Sequence, residues 1–85
     1  MKPELLKETK WLRFMIVDKK PKTLVIEVEN KSGHSLGKIK WHGPWRQYVW
    51  ESSNVDAIFN NGCLQDIADF LSYLNELHRL ARQSV

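Results

Sequence analysis

Between residues 11 and 50 apolar and polar positions alternate with a period of two. Successive side chains of a strand point to opposite faces, so this pattern predicts strands buried on one side. In "KWLRFMIVD", Leu12, Phe14 and Ile16 fall on one face, and Trp11, Arg13, Met15 and Val17 on the other. In "TLVIEVEN", Leu24, Ile26 and Val28 oppose Val25, Glu27 and Glu29. "LGKIKWH" sets Gly37, Ile39 and Trp41 against Lys38 and Lys40, and "RQYVWE" sets Arg46, Tyr48 and Trp50 against Gln47 and Val49.

The breaks between these runs have their own chemistry. Pro21 in "KKPK" lacks an amide hydrogen, "KSGHS" centres on a glycine, and Gly43-Pro44 suits a turn. Glu27 and Glu29 would then lie across an antiparallel pair from Lys38 and Lys40, marking a solvated face. The opposite face, with Leu24, Ile26, Val28, Ile39 and Trp41, is the expected core. "SSN" reads as a loop and "VDAIF" as a short further strand or an extended lead-in.

From "NNG" onward the period changes. Leu64, Ile67, Leu71 and Leu74 recur at helical spacing, and Phe70, Leu77 and Leu80 widen the stripe. Asn60, Asn61 and Gly62 are the candidate N-caps. Asp66 and Asp69 early in the helix, and Arg79 and Arg82 late, suit its macrodipole. The expected fold is α+β: a four- to five-stranded antiparallel β-meander with one C-terminal helix packed on one face, in two layers. The expected organisation is one domain over 1–85, with a lead-in at 1–9, the meander at 10–59 and the helix at 62–82.

Composition changes this picture little. The chain has 85 residues, four Trp, three Phe and two Tyr, and these rings are costly to leave in water. No apolar run reaches the ~20 residues of a membrane span, and the N-terminus does not read as a signal peptide. A single cysteine excludes an internal disulfide and fits a cytoplasmic protein. Charge is uneven: residues 1–50 hold eleven basic and five acidic residues, whereas 51–85 hold two and five. The basic front half suits nucleic acid or an acidic protein.

Candidate chemistry is sparse. Cys63 would sit at the first helical turn, where a thiolate is favoured, but it also suits a small packed residue. His34, His42 and His78 have no common metal-ligand spacing, and Asp66 and Asp69 read as helix-start acids. Phosphate loops, dinucleotide fingerprints and nucleophile elbows are missing. The expectation is therefore no enzyme, no metal and no cofactor. The densest feature is "WHGPWRQYVW", residues 41–50, where basic and aromatic side chains interleave.

Two segments carry a resemblance. Leu36, Gly37, Ile39, Trp41, Gly43, Trp45, Arg46, Gln47 and Tyr48 form one pattern. Phe59, Gly62, Cys63, Leu64, Asp66, Ile67, Ala68 and Phe70 form the second. Over roughly residues 36–71 the chain resembles small proteins of bacteriophages and prophages that have no assigned activity. The resemblance implies a mobile-element origin and adds no catalytic residue.

The leading expectation is a non-enzymatic binding module, a phage or prophage accessory protein that binds a host protein. Trp45, Arg46, Gln47 and Tyr48 are the expected contacts, with Trp11 as an exposed neighbour, because Trp, Tyr and Arg dominate interface hot spots. One alternative is single-stranded nucleic-acid binding through Lys38, Lys40 and Arg46. Another is a homodimer through the uncovered sheet face, motivated by Met15, Val17 and Val25.

Overall fold

The structure, a computed structural model, describes residues 3–53 and 57–83, with the backbone alone at 82 and 83. Strands β1 (Glu4–Glu8), β2 (Leu12–Lys19), β3 (Leu24–Asn30), β4 (Ser35–His42) and β5 (Gln47–Ser52) form one antiparallel sheet in sequence order. Helix α1 (Asn61–Gln83) crosses one face. This is the expected two-layer α+β meander, but its fifth strand is β1, within the segment expected as a lead-in. "ELLKE" is exposed throughout, so no alternation marks it as a strand. Residues 57–59 of "VDAIF" belong to no strand, and the rest of that segment lies outside the described residues.

The core follows the period-two reading. Leu12, Phe14, Ile26, Val28 and Ile39 are fully buried beneath the helix. From α1 come Cys63, Ile67, Phe70 and Leu74, spaced three and four residues apart. Phe14 and Phe70 join the two layers, their ring centroids 4.4 Å apart. The helix is rotated from its expected phase: Leu64 is 53% exposed and Cys63 takes the inward place. Leu77 and Leu80 are likewise about half exposed. Two stripes, one starting at Leu64 and one at Cys63, share Ile67 and Leu74, so spacing alone leaves the phase open.

Asn60 caps α1, its side-chain oxygen accepting the Cys63 amide at 2.8 Å. Asp66 and Asp69 fall beyond the first turn, which holds no acid, so the macrodipole does not account for them. Asp69 accepts a hydrogen bond from Gln65 at 2.8 Å, and Arg79 pairs with Glu76.

The uncovered face carries charges of alternating sign. Arg13 lies between Glu8 at 3.0 Å and Glu29 at 3.7 Å. Glu27, Lys38 and Glu51 are neighbours in register across β3, β4 and β5. The expected Glu27–Lys38 pairing is present. Glu29 instead faces Ser35, because the β3–β4 register shifts after Val28, and Lys40 bonds Glu51 at 2.6 Å. These partners lower the carboxyl pKa of Glu51, chiefly through the Lys40 hydrogen bond, and of Glu8, chiefly through Lys31.

Candidate functional site

The β4–β5 connection is a tight turn. Gly43, Pro44 and Trp45 make one 3-10 turn, closed by the Arg46 amide donating to the Gly43 carbonyl at 3.1 Å. Proline sits early in it, where its missing amide hydrogen costs nothing. The chain then leaves through Arg46 in the left-handed region, φ 54° and ψ 46°. Arg46 is the one non-glycine residue with positive φ among the described residues. That backbone costs a side-chain-bearing residue about 1–2 kcal/mol.

Trp45 stands out from this turn, 67% exposed, its ring edge against His42 with centroids 4.9 Å apart. Arg46 and Gln47 beside it are exposed as well. Tyr48 departs from the expected contact set. It is 6% exposed, and its hydroxyl accepts the Leu24 amide at 3.1 Å. Strand alternation turns it into the core, where it braces the hairpin from within.

Tyr48 belongs to an aromatic group joining sheet and helix. Trp41 meets Tyr48 edge-on at 5.4 Å and lies against His78 at 4.2 Å. These residues floor a groove of about 830 Å³ between the second half of α1 and the β2–β3 turn. Leu77 and Ala81 line its helical side, and Lys20, Lys22 and Leu24 line the other. The sequence did not reveal this groove, because its lining comes from four separated stretches: residues 20–24, Trp41, Tyr48 and residues 74–81. The one available signal was the Trp41–Tyr48 pair, cross-strand partners of β4 and β5 on one face of the sheet.

The other candidates are dispersed. Trp11, 41% exposed, lies against Gly62 at the start of α1. It precedes β2, whereas the β4–β5 turn lies level with that strand's far end, roughly 25 Å away at ~3.3 Å per residue. Trp11 and Trp45 therefore do not form one patch. Lys38 and Lys40 sit in the charge ladder, on the face opposite Trp41 and Tyr48, and Arg46 is at the turn. Met15, Val17 and Val25 are half-buried on the ladder's face. Cys63 is buried. His34 is at the β3–β4 turn, His42 beside Trp45 and His78 on Trp41. Among the described residues no three His, Cys, Asp or Glu side chains are grouped to hold a metal. No helix among them is long and apolar enough to cross a membrane.

The chain is similar to an uncharacterized 9.3 kDa protein of Acholeplasma phage L2, with 41% identity over 75 residues, covering 84% of this chain and 92% of that protein. No family model and no solved structure matches it.

Proposed function

The chain belongs to the family of the Acholeplasma phage L2 protein, and from that premise we propose that it is a non-enzymatic accessory protein of phage or prophage origin. In this reading it binds a protein partner through the tip of its β4–β5 hairpin. One observation carries the reading: a largely exposed Trp45 is followed by Arg46 in a strained left-handed conformation. Glycine would adopt that backbone more easily, and strain of this kind clusters at functional sites. Trp45 supplies apolar area, and Arg46 supplies directional hydrogen bonds.

The balanced ladder around Lys38 and Lys40 argues against the nucleic-acid alternative. Lys40 already bonds Glu51, and the flat rings of Trp41 and Tyr48 lie on the other side of the sheet.

The test is affinity capture from cells that carry the gene, after nuclease treatment. Wild type is compared with Trp45→Ala and with Tyr73→Ala, a substitution at another exposed ring. A discrete protein held by wild type and by Tyr73→Ala, but lost with Trp45→Ala, supports the reading. Equal capture by all three, or capture abolished by nuclease, overturns it.

A further inference from the structure

Resting on the reading of this chain as a protein-binding module, we infer that the groove beside the hairpin receives an acidic peptide segment bearing an apolar or aromatic anchor. The floor is apolar, formed by Leu24, Trp41, Tyr48 and Leu74, and Leu77, 46% exposed, forms one wall. A space of about 830 Å³ exceeds any simple anion and accommodates large side chains.

The charges give the partner its sign. Among the described residues no aspartate or glutamate lines the groove, while Lys20 and Lys22 stand at its edge. Among the described residues the one carboxylate paired with Lys20 is distant, Asp18 at 4.0 Å. Lys22 makes no ion pair among the described residues, and Glu76 of α1 is paired with Arg79. An apolar anchor would fill the floor while flanking carboxylates meet the two lysines. A single-stranded nucleic acid fits less well, because stacking needs an open ring face and Tyr48 is buried.

The experiment follows backbone and indole NMR signals of the full chain. The probes are a short synthetic peptide of Leu, Trp and Glu, its Lys-for-Glu counterpart, and oligothymidine. The expected result is that the acidic peptide moves signals of Leu24, Trp41 and Leu77 and binds at least about tenfold more tightly than the basic one. Lys22→Glu, at an exposed turn position, should narrow that preference, and Leu77→Ser should weaken both peptides. Absence of shifts at these residues, equal affinity for the two peptides, or equal displacement by oligothymidine would overturn the inference. Shifts confined to Trp45, Arg46 and Gln47 would overturn the groove while leaving the hairpin reading standing. If Trp45→Ala also leaves partner capture unchanged, both readings fall.

Discussion

The side-chain amide of Asn75 holds both backbone groups of Tyr48. Its oxygen accepts the Tyr48 amide at 2.7 Å, and its nitrogen donates to the Tyr48 carbonyl at 3.5 Å. β5 is an edge strand, and these groups point away from β4. Asn75 thus takes the place a further strand would occupy, and it fixes the helix to the sheet beside the groove.

Asn75→Ala leaves a part-buried amide without its partner, which costs about 1–3 kcal/mol. A matching drop in unfolding free energy by urea titration is expected. Asn75→Asp keeps the acceptor and should lose less. A wild-type midpoint for Asn75→Ala would show that the contact contributes nothing.

Gly37 is required by close approach. A Cβ there would lie 2.5 Å from the Glu51 carbonyl oxygen and 2.6 Å from the Trp50 ring. Gly37→Ala should therefore destabilise by about 2 kcal/mol or more, as overpacking does. Gly43→Ala meets nothing within 4 Å and should cost far less. Thermal melts of the two variants, side by side, check the order.

Arg46→Gly separates stability from binding. Relief of the left-handed strain, partly offset by greater freedom of the unfolded chain, should leave stability unchanged or raise it by about 1 kcal/mol. Partner capture should fall at the same time. A destabilised Arg46→Gly would mean that the arginine is held there for the fold.

Acid should loosen the uncovered face. Glu8 and Glu51 have pKa values lowered below their ordinary 4.5 by Lys31 and Lys40. Their contribution is present above that ordinary value and is lost as pH falls through the lowered one. Both side chains are solvent-exposed, so salt should shrink the effect. Stability of Glu51→Gln and wild type, measured at pH 7 and below pH 4 at low salt, should differ at the higher pH and converge at the lower. A constant difference would remove the ion pair as its cause.

Much of the fold was legible because a strand with one buried face writes its burial into every second residue. Leu12, Phe14 and Ile16 announced β2 in this way, and Ile26 and Val28 announced β3. β1 was not legible, because its "ELLKE" buries neither face and is held by pairing with β2. The helix phase was ambiguous between Leu64 and Cys63, and docking on the sheet decided it. At the candidate site, Trp45 and Arg46 were legible as a turn that packing leaves unexplained. Trp11 was grouped with them by residue type, although the sheet register puts it at the opposite end. The groove was hidden, because Lys22, Trp41 and Leu77 meet only after the β2–β3 turn and the helix have been brought together.

The most direct measurement for the hairpin reading is site-specific photocrosslinking in cells that carry the gene. One probe replaces Trp45 and another replaces Glu27 on the charge ladder. The expected result is a discrete protein adduct from position 45 and none from position 27. An adduct from position 27 with nothing from position 45 would contradict the assignment of the hairpin tip as the contact surface.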